Sequence, residues 1–226
     1  FKTILFDFLL GILLFAGAIH VNLKGLIKEK GSVIIYATFG VLVSTFLIGT
    51  AFYYTASMMG FQISYLYSLV FGALISPTDP VAVLALLKKA KAPKHMEIKI
   101  VGESLFNDGV GIVIFLSILS LATMMQEFEI THITEEFGIE AGGGILMGLV
   151  LGHLGKIFIR SVRKEPVIAV HISLAIVLGG YSLSSIFNVS GAIAMVVAGL
   201  IIGNSLHSEK ISDKLRNHMN IFWKVL

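Results

Sequence analysis

Three carboxylates lie inside long apolar stretches of this sequence: Asp79, Glu103 and Asp108. A charged Asp at the centre of a bilayer costs about 2.5–3.5 kcal/mol on insertion scales, so such residues mark a functional site by default. Burial disfavours the charged form of a carboxylate unless a proton or a cation neutralises it. The chemistry that these residues indicate is therefore reversible binding of protons and cations.

Asp79 lies in the segment Ser76-Pro77-Thr78-Asp79-Pro80, with apolar sequence on both sides. Pro77 and Pro80 cannot donate a helical hydrogen bond, and the residue before each proline is pushed away from helical geometry. The spacing predicts an interrupted helix near 76–80. Such a break exposes carbonyl dipoles that can hold a cation, and Thr78 and Asp79 add further oxygen. The alternative interpretation is a proline kink that contains a buried, partnered Asp.

A second polar cluster follows in Gly102-Glu103-Ser104-Leu105-Phe106-Asn107-Asp108-Gly109. Ser104 and Asp108 share one helical face, Asn107 lies beside them, and Glu103 and Asn107 form a neighbouring i,i+4 pair. Oxygen ligands of this kind suit a hard cation such as Na⁺, K⁺ or Li⁺. A purely structural hydrogen-bond cluster is the alternative.

The composition places these residues in a membrane protein. Of the 226 residues, 56% are hydrophobic and only 14% are charged, against about 25% charged in a soluble domain. Mean hydropathy is +0.90, and the apolar runs have the length of about 20 residues that crosses a bilayer. Soluble-enzyme, nucleic-acid-binding and disordered classes are excluded. The chain has no Cys, so disulfides and thiolate chemistry are excluded too, and no cofactor is expected.

Hydropathy predicts an all-α polytopic membrane protein with about seven transmembrane helices. The predicted spans are 1–23, 32–54, 61–87, 98–125, 139–159, 167–187 and 189–206.

The basic residues predict the orientation of these spans. Fifteen of the 17 Lys and Arg residues lie in alternate loops, as the positive-inside rule requires. We therefore expect a multi-pass protein of the cell inner (plasma) membrane, in contact with lipid, and expect Lys99 to snorkel to the cytoplasmic boundary. The loops predicted to be cytoplasmic are 24–31, 88–97, 156–166 and 207–220.

Small residues recur at helical spacing on two spans. Gly144, Gly148 and Gly152 form one groove, and Gly199 and Gly203 form another. Grooves of this kind let a neighbouring helix backbone approach closely. We interpret both as packing surfaces.

The two polar motifs together resemble those of the bacterial cation:proton antiporters related to the animal sodium/proton exchangers, the monovalent cation:proton antiporter-1 family. The segments Phe71-Gly-Ala-Leu-Ile-Ser-Pro-Thr-Asp-Pro80 and Val189-Ser-Gly-Ala-Ile-Ala-Met-Val-Val-Ala-Gly-Leu-Ile-Ile-Gly-Asn204 are also similar to that family. The similarity covers essentially the whole chain.

The resemblance implies a larger inverted-repeat antiporter fold with an interrupted core helix, of which this chain is an internal fragment. It implies a homodimer in the full-length form, and it implies that the fragment alone does not transport. The implied domains are a panel helix at 1–23, half of the core at 32–125 with the ion-site helix at 98–125, a linker helix at 139–160, panel helices at 167–206, and a cytoplasmic loop with the start of a further helix at 207–226.

The resemblance also implies roles for individual residues. Asp108 binds the cation and the proton in turn, next to the amide of Asn107, and Glu103 pairs with an arginine expected beyond Leu226. The sequence departs from many relatives at Phe15-Ala16-Gly17-Ala18, where they carry an acidic residue. The residues that complete or support the alkali-cation site are Thr78, Asp79 and Ser104.

The resulting hypothesis is a secondary active transporter, not an enzyme. It exchanges Na⁺, or K⁺ or Li⁺, for protons by alternating access, and the resemblance implies that an Asn-Asp pair, here Asn107-Asp108, goes with electroneutral exchange. The enzyme alternative is an intramembrane aspartyl protease that uses Asp79 and Asp108, although the Gly-x-Gly-Asp context of that class is lacking. A seven-helix receptor or light-driven pump is a third alternative, but the span 189–206 has no Lys for a retinal Schiff base.

Overall fold

The computed structural model describes residues 9–124, 130–206 and 211–225, and within these ranges the regular secondary structure is helical. A wider, π-helical turn over Tyr36–Gly40 joins the helix Lys30–Ile35 to the helix Val41–Met58. The helices are α1 (Leu10–Ile19), α2 (Leu23–Lys28), α3 (Lys30–Ile35), α4 (Val41–Met58), α5 (Tyr65–Ile75), α6 (Val81–Lys89), α7 (Lys94–Met124), α8 (Ile130–Ser161), α9 (Pro166–Ile186), α10 (Gly191–Leu206) and α11 (Asp213–Val225).

The apolar helices coincide with the predicted spans, which confirms the all-α membrane class. Four helical stretches are long and apolar enough to cross a bilayer: Lys30–Met58, Lys94–Thr123, Gly138–Ser161 and Pro166–Ile186. The other three predicted spans contain the shorter apolar helices Leu10–Ile19, Tyr65–Ile75 and Gly191–Leu206. Seven full crossings and the sides of the loops stay predictions. Residues 1–8 and 125 of the predicted spans lie outside the described residues.

The chain divides into two compact units, Phe1–Ile27 with Glu140–Leu226, and Lys28–Ile139. The core, linker and panel boundaries drawn from the sequence stay predictions.

In the first unit, α10 packs closely against α1 through its two glycines. A methyl group at Gly199 would lie 2.7 Å from the Cβ of Ala18, and one at Gly203 would meet the carbonyl oxygen of Ile19. Only a residue without a side chain fits at either position. The packing role predicted for this glycine pair is confirmed.

The glycine groove of α8 faces α10 as well. A methyl group at Gly144 would lie 2.7 Å from the carbonyl oxygen of Ser190, and one at Gly148 would lie 2.6 Å from that of Ala194. The predicted close approach of a second backbone is therefore confirmed. Small side chains matter here because lipid tails are as apolar as Leu, so helices associate in membranes mainly through close packing.

Helix α11 begins at Asp213, inside the segment 207–220 that was predicted to be a loop. Its charged residues lower the hydropathy of the segment, but Leu215, Met219 and Trp223 recur every four residues and are buried. The indole Nε1 of Trp223 donates a hydrogen bond to the hydroxyl of Ser173 on α9, at 3.0 Å. An amphipathic helix of this kind is visible in the periodicity rather than in the mean hydropathy. Residues 207–210 lie outside the described residues.

In the second unit, α5 lies between α4 and α7. A methyl group at Gly72 of α5 would meet the carbonyl oxygen of Thr45 on α4. On the other side, the buried side chains of Val41, Ala73, Val110 and Ile114 form one apolar cluster. These contacts hold the C-terminal end of α5 against the middle of α7.

The glycine packing of α10 predicts that Gly203→Ala lowers the thermal unfolding midpoint of the detergent-solubilised protein. The added methyl group has no room beside Ile19, and overpacking of this kind costs about 1–3 kcal/mol. The measurement is a melting curve followed by tryptophan fluorescence.

The matched control is Gly179→Ala on α9, where an added methyl group meets nothing within 4 Å. That variant gains helix propensity, about 0.5–1 kcal/mol, and should melt no lower than the parent. Equal midpoints for Gly203→Ala and Gly179→Ala would contradict the packing interpretation.

Candidate cation-binding site

The helix predicted to break near 76–80 is interrupted there. Helix α5 ends at Ile75 and α6 begins at Val81. The amide of Ser76 still donates to the carbonyl oxygen of Gly72, at 3.1 Å, and helical bonding resumes where Leu84 donates to Pro80, at 2.7 Å. Pro77 and Pro80 supply no N–H in between. The C-terminus of α5 and the N-terminus of α6 therefore meet at Ser76–Pro80, with backbone carbonyls outside any helix.

The polar face of α7 lies against this break. The hydroxyl of Ser104 donates to the carbonyl oxygen of Thr78, at 2.9 Å. The amide Nδ2 of Asn107 donates to the side-chain oxygen of Thr78, at 3.0 Å. Thr78 is therefore held by both its backbone and its side chain, and α7 replaces the helical partner that the break removed.

Asn107 also binds Glu103, one turn earlier on the same helix. Its Nδ2 donates to Oε1 of Glu103 at 2.7 Å, and the hydroxyl of Thr78 donates to the same oxygen at 3.4 Å. Asn107 is only 1% exposed, and its Oδ1 is buried without a hydrogen-bond partner among the described residues. An unsatisfied buried acceptor costs about 1–3 kcal/mol, so this oxygen fits a cation or a donor at the site.

The three carboxylates of the two polar motifs lie close enough to interact. Asp108 is half-buried on α7, and the negative charges of Asp79 and Glu103 both act on it. Like charges at one site oppose simultaneous ionisation. Binding of a proton or a cation relieves this repulsion, so the arrangement favours an exchangeable positive charge.

Close backbone approach makes these contacts possible. A methyl group at Gly111 of α7 would meet the ring of Pro77. The absence of a side chain at Gly111 therefore lets α7 lie directly on the interrupted segment.

A cavity of about 430 Å³ leads to this cluster within the same unit. Thr78 and Glu103 line it at the break, and Tyr36, Ser44 and Lys99 line other parts of its wall. The cavity therefore reaches the oxygen cluster at Thr78 and Glu103. The structure brings the predicted site residues into one region, and their roles as ligands stay predictions.

One residue that supports the break, Thr45, was not expected from the sequence. Thr45 on α4 is fully buried and donates from its hydroxyl to the Ser76 hydroxyl, at 3.2 Å. Ser76 in turn donates to the carbonyl oxygen of Gly72, at 2.7 Å. Thr45 gives a weak signal in the sequence, because Ser44 and Thr50 are hydroxyl residues of the same span and such hydroxyls often bond within their own helix. Only the packing of α4 on α5 identifies its partner.

The fold and the site define a polytopic membrane protein with an interrupted helix and an oxygen-lined, acidic cluster. Residues 2–226 match the family described as "Sodium/hydrogen exchanger, transmembrane", and the chain belongs to this family. It is 44% identical over its full length to the Na⁺/H⁺ antiporter NhaP of Pseudomonas aeruginosa and covers 53% of that protein. It is 31% identical to the Na⁺/H⁺ antiporter NhaH of Halobacillus dabanensis, over 99% of this chain and 55% of that one.

The fold is similar to that of a solved structure, the sodium proton antiporter MjNhaP1 from Methanocaldococcus jannaschii at pH 8. The TM-score is 0.77 at 24% identity, over 96% of this chain and 52% of the other. The chain thus spans about half the length of the relatives it matches. These relatives are named as transporters rather than enzymes, and no comparison supports the aspartyl protease alternative.

The buried Thr45–Ser76 contact predicts that Thr45→Val destabilises the protein. Loss of one buried hydrogen bond costs about 1 kcal/mol, which corresponds to about 2–4 °C in the unfolding midpoint at this size. The measurement is the thermal midpoint in detergent.

Two comparisons make this test specific. Thr123→Val should have little effect, because the bonds that the Thr123 hydroxyl makes within the described part of the chain go to carbonyls of its own helix. In a Ser76→Ala background, Thr45→Val should lose most of its effect, since the partner is already gone. Additive effects of the two substitutions would show that the contact does not stabilise the protein.

Proposed function

We propose that the full-length protein exchanges a monovalent cation, Na⁺ or alternatively K⁺ or Li⁺, for protons across the cell inner membrane. Membership of the sodium/hydrogen exchanger family supports the class of activity. The observation that carries the proposal is the position of Thr78, whose carbonyl and hydroxyl at the helix break both contact the polar face of α7. This places neutral oxygen beside carboxylates in an apolar protein, as a desolvated alkali cation requires.

The proposed mechanism is competition at one carboxylate. Asp108 binds either a proton or a cation, because either one neutralises the same half-buried charge. Asp79, Thr78 and Ser104 supply the other cation ligands, and the dipole of the α5 C-terminus adds a favourable potential. When the proton binds, the cation leaves, and alternating exposure of the site to the two sides gives obligatory exchange.

Asn107 and Glu103 have supporting roles in this proposal. The Asn107 amide holds Thr78 and Glu103 in place without adding a second titratable group beside Asp108. One cation then replaces one proton, and the exchange is electroneutral. Glu103 is proposed to take an arginine from beyond Leu226 as a further partner.

The family resemblance also supports a proposal for the architecture of the full-length protein. The unit with the interrupted helix moves as part of a core against a panel that forms a homodimer, and the basic loops face the cytoplasm. No cofactor takes part in this mechanism, because the transported ions supply the driving force.

The mechanism predicts that Asp108→Asn abolishes exchange in the full-length protein. The amide has nearly the same shape but neither binds the exchanging proton nor neutralises a cation. The measurement is sodium-driven proton flux in liposomes that contain a pH-sensitive dye, with K⁺ and Li⁺ added in parallel.

Glu97→Gln is the matched control, because it removes a carboxylate from the first turn of the same helix, away from the break. It should retain exchange. Equal thermal midpoints for the two variants establish that Asp108→Asn is folded. Wild-type flux in Asp108→Asn would overturn the mechanism.

Competition also predicts the direction of the pH dependence. Lowering the pH on the side that supplies sodium should raise the sodium concentration for half-maximal flux. The increase approaches about tenfold per pH unit where the site is mostly protonated, by mass action. The maximal rate at saturating sodium should change much less. A half-maximal concentration that is independent of pH would contradict competition for one site.

A further inference from the structure

A charged pair lies beside the cavity and has no role in the mechanism above. The ammonium Nζ of Lys99 lies 3.1 Å from Oε2 of Glu29, and both side chains are partly exposed. Glu29 directly precedes α3, whereas Lys99 is in the second turn of α7. The ion pair therefore joins two elements of the same unit.

Lys99 shares a helical face with the site. Lys99, Glu103 and Asn107 are spaced by four residues along α7, so their side chains lie in one stripe. Lys99 lines the same cavity as Thr78 and Glu103. Because α7 begins at Lys94, Lys99 lies between that end of the helix and Glu103. A cation that enters the cavity from this end passes the ammonium group.

We propose that the Glu29–Lys99 pair determines the affinity with which cations enter the site, and that Glu29 does so by neutralising and holding Lys99. The inference rests on the proposed exchange activity and concerns two residues outside the ion-binding cluster. Glu29 is thus a positioning residue that acts through Lys99.

Lys99 can reach two carboxylates, Glu29 and Glu103. With Glu29 present, the ammonium is bound at 3.1 Å and its charge is largely cancelled. Without Glu29, the remaining carboxylate one turn away is Glu103, in the i,i+4 arrangement in which opposite charges pair on a helix. The ammonium would then extend along the cavity wall and occupy the approach to Thr78.

The size of the effect follows from Coulomb's law. One uncompensated charge about 10 Å from an incoming cation changes its binding constant by about two- to fifteenfold, for effective dielectric constants between those of water and a protein surface. The quantity expected to change is the binding constant of the cation. The maximal rate should not change, because neither residue contacts the bound ion in the proposed mechanism.

The test is a double-mutant cycle in the full-length protein reconstituted in liposomes. Glu29→Gln should raise the sodium concentration for half-maximal proton flux by about two- to fifteenfold. Lys99→Gln should leave it unchanged or lower it. The double variant should behave like Lys99→Gln, because Glu29 has nothing left to neutralise. Maximal rates should stay within about twofold of the parent, since the effect is confined to the binding step.

Lys94→Gln and Glu97→Gln are the matched controls, since they remove one charge of each sign from the same end of α7 and neither residue lines the cavity. Both should leave the half-maximal concentration unchanged. If Glu29→Gln acts equally with and without Lys99, or no more than the controls do, the inference is wrong while the exchange activity stands. If the parent protein shows no cation-driven proton flux, the proposed function itself fails.

Discussion

The backbone groups freed at Ser76–Pro80 must find hydrogen bonds inside the protein, because hydrocarbon offers them none. The polar face of α7 meets this constraint. Ser104 satisfies the carbonyl of Thr78, and Asn107 binds its side chain. A helix that carried only apolar residues here would leave the break unsatisfied at several kcal/mol per group. The polar face of α7 is thus a structural requirement of the same break that supplies oxygen to the proposed cation site.

Glycine residues let the helix backbones approach each other closely enough for these contacts. Short hydrogen bonds between α7 and the break require the two backbones to come close, and Gly111 allows this beside Pro77. Gly72 does the same where α5 meets α4, and in the other unit Gly199 and Gly203 do so where α10 meets α1. Helices in lipid gain little from burying apolar surface, so close packing takes over that role.

The side-chain amide of Asn107 adds no negative charge to the site. The negative charges of Asp79 and Glu103 already act on Asp108, and a further acid at position 107 would add to that repulsion. Asn107 instead donates to Glu103 and Thr78, so it orders the cluster while it remains neutral. Its unpartnered, buried Oδ1 leaves one acceptor for an incoming group. A neutral residue beside Asp108 suits the proposed replacement of one positive charge by another.

The sequence by itself determined the helical membrane class, the break at Ser76–Pro80 and the residues of the polar face, because hydropathy, proline chemistry and i,i+4 spacing are local properties of the chain. It did not reveal the Thr45 contact with Ser76, 31 residues away, or the ion pair of Lys99 with Glu29. One of several hydroxyl residues in an apolar span and a Lys near a helix end each have many possible partners. Only the packing of α4 on α5 and of α3 on α7 selects one of them, because a hydrogen bond or an ion pair between distant residues depends on which helix faces meet.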